Sequence, residues 1–186
     1  EIELSLVQEP QLDILYYPRV ERKSASEKQK ERLNVLSLFS GCGGMDLGFE
    51  GGFSVLPQSI NEILTPHFID KKEKNGFVKL KKTKFKTVFA NDILTDARNA
   101  WVNYFSKRGH HAENFYKESI VDLVKMYRNG VNVFPEDVDI VTGGFPCQDF
   151  SVAGKRNGFN SHKNHKGELI ENKEASVETR GQLYMW

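Results

Sequence analysis

The sequence predicts an α/β fold with a parallel sheet, and two observations lead to this prediction. Residues 33–39 and 138–142 are short apolar runs of the length and composition that buried strands have. Both runs lead into glycines, and a short helical segment at residues 45–50 follows the first, closed by Gly51 and Gly52. A strand, a glycine turn and a helix in this order are typical of units that bind ligands at the carboxyl edge of the sheet.

The composition fits one such fold. The chain has 186 residues, is 39% hydrophobic and contains thirteen phenylalanines, which is enough to bury one core. Its net charge of +1 gives no global basic signal, so nucleic-acid binding would depend on local patches. Two cysteines, Cys42 and Cys147, argue against a disulfide framework and for a reducing compartment. No apolar segment reaches the length of a membrane span, the acidic start is no signal peptide, and we expect no metal site.

Cys147 is the first candidate for a reactive side chain. It follows the second apolar run within residues 143–148, whose sequence is Gly-Gly-Phe-Pro-Cys-Gln. Pro146 fixes the backbone before it, and a positioned thiolate is a soft nucleophile that adds to electron-poor carbon. A lone cysteine is more often a small buried hydrophobe. A core cysteine needs neither the glycines, the proline nor the polar Gln148, which weakens that alternative and leaves Cys147 as a candidate nucleophile.

The glycine turn and a third strand suggest a nucleoside site. The turn has the spacing Gly-x-Gly-Gly, which differs from the fingerprint of dinucleotide binders, and alone it could be an ordinary tight turn. Residues 86–90 read as the next strand and end at Asn91 and Asp92. An acid at that place accepts hydrogen bonds from ribose hydroxyls. The alternative is that Asn91 and Asp92 cap the next helix, although Thr95 is another candidate for that cap.

The helix after Asp92 carries an apolar stripe that we predict to face the core. Its members fall at helical spacing: Ala97, Ala100, Trp101, Tyr104 and Phe105.

Together, residues 39–44 and 144–151 resemble the cytosine-5 DNA methyltransferase family. The resemblance extends through residues 153–159, returns at residues 180–183 and covers most of the chain from residue 33 onward. It implies a Rossmann-like S-adenosylmethionine-dependent methyltransferase fold, incomplete at its C-terminal side. It also implies transfer of a methyl group to carbon 5 of a cytosine that is flipped out of duplex DNA, through a covalent cysteine adduct.

The resemblance assigns roles to individual residues, with Cys147 as the nucleophile. The residues implied for the S-adenosylmethionine site are Phe39, Ser40, Gly41, Cys42, Gly43, Gly44, Asp92, Ile93, Ser119, Gly144, Pro146 and Leu183. Those implied for DNA are Gln148, Ser151, Lys155 and Arg180. The family often has an aspartate facing the adenine amine. We place the matching position at Ser119, near the end of a strand predicted at residues 115–120, with Glu118 or Asp122 as alternatives.

Three stretches depart from the family. Residues 1–32 read as a polar N-terminal extension or linker. Residues 54–85 form a lysine-rich insertion, interpreted as a solvated loop with phosphate binding as the alternative. Residues 160–179 form a second insertion that we expect to be mobile. The resemblance implies that residues 33–186 correspond to the first part of the catalytic domain, without the later motifs and the target-recognition domain.

The resemblance therefore predicts a DNA methyltransferase that is inactive as this fragment alone. The expected setting is a bacterial or phage restriction-modification system in the cytoplasm. Duplex DNA would be the partner, a second polypeptide could supply the missing motifs, and the cognate endonuclease would be a functional partner. One alternative is a transfer-RNA cytosine-5 methyltransferase, against which Gly144 and Phe145 argue. Another is a non-catalytic subunit, against which the intact Cys147 argues.

Overall fold

A computed structural model describes residues 31–147, 150, 158–170, 176 and 178–186 of the chain. Nearly all of the predicted N-terminal extension therefore lies outside the described residues. In chain order the elements are β1 (Leu33–Leu38), α1 (Gly44–Glu50), β2 (Ser54–Val55), β3 (Ile69–Lys72), β4 (Val78–Leu80), β5 (Phe85–Asn91), α2 (Thr95–Phe105), β6 (Phe115–Tyr116), α3 (Ile120–Arg128) and β7 (Ile140–Gly143).

Four parallel strands in the order β6-β5-β1-β7 form the main sheet. The register pairs Leu38 with Asn91 of β5 on one side and with Gly143 of β7 on the other. The carboxyl ends of these three strands therefore lie at one edge. This arrangement confirms the predicted α/β fold with a parallel sheet and is consistent with a Rossmann-like methyltransferase.

One strand is shorter than predicted. β6 contains only Phe115 and Tyr116, whereas the sequence predicted a strand through residue 120. The chain leaves the sheet because Ser119 caps α3, its hydroxyl accepting a hydrogen bond from the Val121 N–H at 3.3 Å. Serine is among the preferred N-cap residues, and here the cap displaces the continuation of the strand.

Helices cover both faces of the main sheet. Phe89 of β5 packs with Leu123 of α3, while the next residue, Ala90, packs with Trp101 and Phe105 of α2. Successive side chains of a strand point to opposite faces, so the two helices lie on opposite sides. The fold therefore has three layers, with the sheet in the middle.

The apolar stripe predicted for α2 is only partly correct. Trp101 and Phe105 are buried as predicted, whereas Ala100 is exposed and Tyr104 is 42% exposed. Trp101 and Phe105 are four residues apart and share one helix face. Ala100 and Tyr104 each precede one of them and are rotated toward solvent. Tyr104 instead has the Arg108 guanidinium carbon 5.8 Å from its ring centre. Trp101 and Phe105, with the partly buried Val102 beside them, therefore pack α2 on the sheet.

The glycine turn packs directly on that strip. Gly43, the N-cap of α1, has a φ of 90°, in the left-handed region that favours glycine. A Cβ atom there would lie 2.5 Å from Phe105 Cε2 and 2.6 Å from Trp101 Cδ1. The Trp101 indole N–H also donates to Asp46 Oδ2 at 2.7 Å, in a fully buried contact. The start of α1 is therefore seated on α2 through a contact that admits no side chain at position 43.

The backbone of the lysine-rich insertion forms regular strands, so the interpretation of residues 54–85 as a solvated loop is wrong. β2, β4 and β3 form an antiparallel sheet in the order β2-β4-β3. Val78 is 1% exposed and supplies an apolar anchor, and the Gly52 N–H donates to the Lys81 carbonyl at 3.0 Å. Most of the lysines themselves remain exposed, as a solvated face requires.

A buried carboxylate joins the end of α1 to β5. Glu50 Oε1 accepts a hydrogen bond from the Thr87 N–H at 2.9 Å and lies 2.8 Å from His110 Nε2. Burial pushes the pKa of Glu50 upward. The hydrogen bonds from His110 and Thr87 and the nearby positive charges outweigh it, so the net pKa is lowered.

Replacing Gly43 by alanine should destabilise the fold by about 2–4 kcal/mol, because it adds overpacking against the aromatic pair to a positive φ. Chemical denaturation measures the free energy of unfolding directly. Gly44→Ala is the matched control: among the described atoms a Cβ there meets nothing within 4 Å. Its effect should stay within about 1 kcal/mol. Equal losses for both variants would contradict the packing argument.

Glu50→Gln should cost about 1–3 kcal/mol of stability at neutral pH, since a charged acceptor is lost from a buried network. The folded pKa of Glu50 is lowered, so its contribution is present above the ordinary pKa and disappears as the pH falls through the folded value. The difference between wild type and variant should therefore shrink in acid, measured by unfolding between roughly pH 3 and 7. The exposed Glu113→Gln is the control, and a pH-independent difference would rule out this charge effect.

Candidate functional site

The two motifs leave neighbouring strands at the same edge of the sheet. The glycine turn follows β1, and the Pro-Cys segment follows β7, which pairs with β1 in parallel. The Gly144 N–H lies 3.4 Å from the Leu38 carbonyl oxygen, so the pairing continues just past the strand ends. Carboxyl edges of open α/β sheets are where such folds bind ligands.

The glycine turn is attached to the end of β5. Phe39 has a φ of 52°, which is uncommon for a residue with a side chain, and it turns the chain out of β1. The Ser40 N–H donates to the Asn91 carbonyl at 2.8 Å, and the Gly41 N–H donates to Asp92 Oδ2 at 3.0 Å. The turn and the acid predicted to hold ribose are therefore in direct contact.

Asp92 satisfies two backbone donors at once. Besides Gly41, it accepts a hydrogen bond from the Leu94 N–H through Oδ1 at 2.9 Å. Thr95 is the first residue of α2, and Leu94 holds the N-cap position with no side-chain hydrogen bond, so the expectation that Thr95 caps this helix is wrong. A carboxylate has about four acceptor positions, which leaves two for other donors.

A cleft of about 430 Å³ opens beside Asp92 at the predicted adenine position. Its size falls within the range of small-molecule sites. The residues that line it are Ile93, Leu94, Lys117, Glu118, Ser119, Asp122 and Lys166. Two of the predicted cofactor residues, Ile93 and Ser119, and both alternatives to Ser119 therefore line one cavity.

Within this cleft the hydroxyl of Ser119 is already engaged. Ser119 is 3% exposed, caps α3 and lies with its Oγ 2.8 Å from His165 Nδ1. Asp122 Oδ2 lies 3.2 Å from Lys166 Nζ. Glu118 is exposed at the mouth of the cleft. Of the three carboxyl or hydroxyl groups considered for the adenine amine, Glu118 is therefore the most accessible.

His165 and Lys166 were not predicted as site residues. They lie on a turn where Lys163 bridges to Leu169, inside the insertion at residues 160–179, and Lys163 also accepts the Arg180 N–H through its carbonyl. Their contacts to α3 span more than forty residues, and no local pattern signals such pairing. The predicted mobility of this insertion stays a prediction, although its described part is attached to the main fold.

Asn91 also went unrecognised as a positioning residue. It is 1% exposed, and its side-chain amide donates to the carbonyls of Tyr116 and Glu118 at 3.0 and 2.8 Å. These bonds fix the segment between β6 and α3 against the end of β5. The only local signal is a buried polar residue at a strand end.

Cys147 carries a free, exposed thiol on the turn after β7. The turn is closed by a hydrogen bond from the Phe150 N–H to the Cys147 carbonyl at 2.9 Å, and Pro146 before it is half-buried. This exposure excludes the interpretation of Cys147 as a buried core residue. Cys42 is likewise free and exposed, on the neighbouring glycine turn.

The remaining predicted residues divide into two groups. Gln148, Ser151 and Lys155 lie outside the described residues. Arg180 begins the last short helical segment, and Leu183 in that segment is 4% exposed and packs in a cluster that contacts Phe39. Leu183 therefore belongs to the apolar cluster on which Phe39 packs, and its predicted contact with the cofactor stays a prediction.

Neither a metal-binding cluster nor a membrane-spanning helix is found among the residues that the structure describes. Among those residues, no group of histidine, cysteine, aspartate or glutamate side chains is arranged to hold a metal ion. No helix in the same residues has the length and apolarity needed to cross a lipid bilayer.

A model of the C-5 cytosine-specific DNA methylase family matches residues 74–177, a span that includes Asp92 and Cys147. The Type II methyltransferase M.BsuRI of Bacillus subtilis is 37% identical over 127 residues, which are 68% of this chain and 25% of that protein. M.BspRI of Lysinibacillus sphaericus is 34% identical over 129 residues, 69% of this chain and 26% of that protein. M.CviJI of Paramecium bursaria Chlorella virus IL3A is 63% identical over 30 residues, 16% of this chain and 8% of that protein.

No solved structure matches the chain. The chain aligns with about a quarter of the length of the first two of these curated relatives. The family match itself extends over more than half of the 186 residues and contains the Pro-Cys turn described above. The chain therefore belongs to the C-5 cytosine-specific DNA methylase family.

Proposed function

We propose that this chain carries the nucleophile and much of the cofactor site of an enzyme that methylates carbon 5 of cytosine in DNA. The observation that carries the proposal is the exposed thiol of Cys147 on a turn beside the glycine turn, at the carboxyl edge of a parallel sheet. The family match and the relatives named Type II methyltransferases favour a modification enzyme of a restriction-modification system.

The proposed chemistry begins with addition of the Cys147 thiolate to carbon 6 of cytosine. The π electrons of the carbon 5–carbon 6 double bond shift toward carbon 4 and nitrogen 3, and carbon 5 of the resulting enamine-like ring becomes a nucleophile toward a methyl group. After methyl transfer a base removes the proton from carbon 5, the double bond re-forms, and the thiolate leaves from carbon 6. This is covalent catalysis, in which one difficult step becomes two easier ones. The target base must leave the duplex stack to reach the thiol.

The residues at the sheet edge suit S-adenosylmethionine, which when bound supplies an electrophilic methyl group. Among the described atoms, a Cβ at Gly41, Gly44 or Gly144 meets nothing within 4 Å, so these positions leave open space beside the backbone. We propose that this space admits the cofactor and that Asp92 accepts its ribose hydroxyls at its two remaining positions. Ile93 and Glu118 would contact the adenine in the adjoining cleft.

Gln148, Ser151, Lys155 and Arg180 remain proposed contacts to the DNA, and Leu183 a proposed neighbour of the cofactor. Duplex DNA is the proposed partner, with a cognate restriction endonuclease as a functional partner only. Such an enzyme would act in the cytoplasm of a bacterium, where the DNA lies.

Since the chain aligns with about a quarter of the length of two curated relatives, we propose that these residues alone bind cofactor weakly and transfer no methyl group. The missing motifs would come from the same or a second polypeptide.

Asp92→Ala in the full-length enzyme should weaken S-adenosylmethionine binding by about 1.5–3 kcal/mol, because charged hydrogen bonds to two hydroxyls are lost. This corresponds to a rise in Kd of roughly 10- to 150-fold, which titration calorimetry measures. Asp96→Ala, in the first turn of α2, removes the same charge nearby and should leave the affinity unchanged.

Asp92 also supports the glycine turn, so Asp92→Asn separates its two roles. The amide can still accept the Gly41 N–H but cannot serve two hydroxyls as an anion does. We expect near-wild-type stability with weakened binding. Wild-type affinity in both Asp92 variants would reduce Asp92 to a purely structural residue.

Cys147 should form a covalent, denaturant-resistant complex with a duplex that contains 5-fluorocytosine at the target position. Fluorine at carbon 5 cannot leave as the proton does, so the adduct persists after methyl transfer. Gel electrophoresis of the full-length enzyme under denaturing conditions reads out the complex. Cys147→Ala should abolish trapping, whereas Cys42→Ala, which removes the other exposed thiol, should retain it. Trapping by Cys147→Ala would disprove the assignment.

A further inference from the structure

A second cleft, of about 540 Å³, lies at the opposite edge of the main sheet. Arg32 and Lys84 line it and directly precede β1 and β5, whose first residues, Leu33 and Phe85, pair with each other. Both strands run away from this point toward the Cys147 edge. With a rise of about 3.3 Å per residue, the six residues of β1 separate the two edges by about 20 Å. The cleft is therefore distinct from the site described above.

The lining of this cleft is strongly cationic. Two of its residues are acidic, Glu31 and Glu50, and Glu50 is already bonded to Thr87 and His110. The cationic lining residues are Arg32, Lys82, Lys84, Lys86, Lys107 and Arg108. Within the part of the chain that the structure describes, Lys82, Lys84 and Lys107 form no ion pair, and all three are exposed.

These charges repel one another at Lys86. Burial lowers the pKa of its ammonium, and the positive charges of Arg32, Arg108 and Lys82 lower it further, against a favourable effect of Glu50. Lys86 Nζ reaches the Gly109 carbonyl oxygen only at 3.4 Å. An anion bound in the cleft would relieve this repulsion, because it places negative charge among several cations.

We propose that this cleft binds backbone phosphates of duplex DNA at a site separate from the catalytic edge. The cations come from three chain segments, residues 31–32, 82–86 and 107–108, which line one cleft. Lysine side chains dispersed in this way neutralise a row of phosphates without reading base sequence. The choice of DNA as the polyanion rests on the proposed function.

The position of the cleft determines which DNA it can contact. The two sites lie at opposite edges of the sheet, separated by about 20 Å, the length of the six-residue strand β1. The cleft engages a flank of the same DNA molecule or a second duplex segment. Such sequence-independent contact raises the local concentration of DNA around the enzyme.

The test uses the 186-residue chain and a duplex that contains no cytosine modification site. Fluorescence anisotropy follows binding between 50 and 200 mM salt. Over this range a protein that makes about six to ten phosphate contacts loses 10³- to 10⁵-fold in affinity. The triple variant Lys82→Gln, Lys84→Gln, Lys107→Gln should reduce the slope of log K against log salt by about 2–3, at about 0.9 per lost phosphate contact. The affinity at 50 mM salt should fall by roughly tenfold or more. Because all three lysines are exposed, the unfolding temperature should not change.

The matched control is the triple variant Lys71→Gln, Lys74→Gln, Lys79→Gln, which removes the same charge from β3, β4 and the turn between them. It should leave the slope nearly unchanged. An unchanged slope in the cleft variant, or an equal change in both variants, would overturn the proposal. A third outcome would also overturn it. Inorganic phosphate would raise the unfolding temperature of the wild type but not of the cleft variant, while both proteins bound the duplex equally well.

The result can be separated from the proposed function. The cleft variant of the full-length enzyme should still form the covalent complex with the 5-fluorocytosine duplex, since Cys147 lies at the other edge. Failure of wild type to form that complex would count against the proposed chemistry. The salt dependence of DNA binding by the 186-residue chain would still decide the role of the cleft.

Discussion

The contact between Gly43 and the stacked rings of Trp101 and Phe105 is the constraint on which the site depends. It joins the first turn of α1 to α2, whose rings in turn pack on Ala90 and Phe115 of the sheet. The indole N–H of Trp101 donates a hydrogen bond to the buried carboxylate of Asp46, so a hydrogen bond joins the two helices in addition to their packing. The glycine turn is therefore positioned by the core itself, and its Ser40 and Gly41 amides are bonded to the end of β5.

The predictions that succeeded rest on local patterns. β1, β5 and β7 follow from apolar runs that end at glycine or at Asn91, and a parallel sheet then brings their ends together. Local patterns also explain the misses. Serine occurs both in strands and at helix N-caps, so the sequence alone does not decide between them. In the structure the Ser119 hydroxyl caps α3. The lysine-rich insertion forms a small sheet that buries Val78, which no charge count reveals.

Side-chain contacts between distant parts of the chain, outside the parallel sheet, could not be predicted. His165 reaches Ser119 and Lys166 reaches Asp122 across more than forty residues, and their own segment contains only ordinary turn residues. The same applies to the cationic cleft, whose members are unremarkable lysines until β1 and β5 align their starting points. A net charge near zero conceals such segregation, because it sums charges that the fold separates.

The insertion between α1 and β5 has a further consequence. The chain departs at Gly51 and Gly52 and returns at Lys81 and Lys82, where a backbone bridge brings its two ends together. The entropic cost of closing such a segment grows only slowly with its length, by about 0.6 kcal/mol for each doubling. The junction is therefore an insertion point at which one small antiparallel sheet could be exchanged for another during evolution. The glycine turn before it and the acid after it would keep their relative positions through such an exchange.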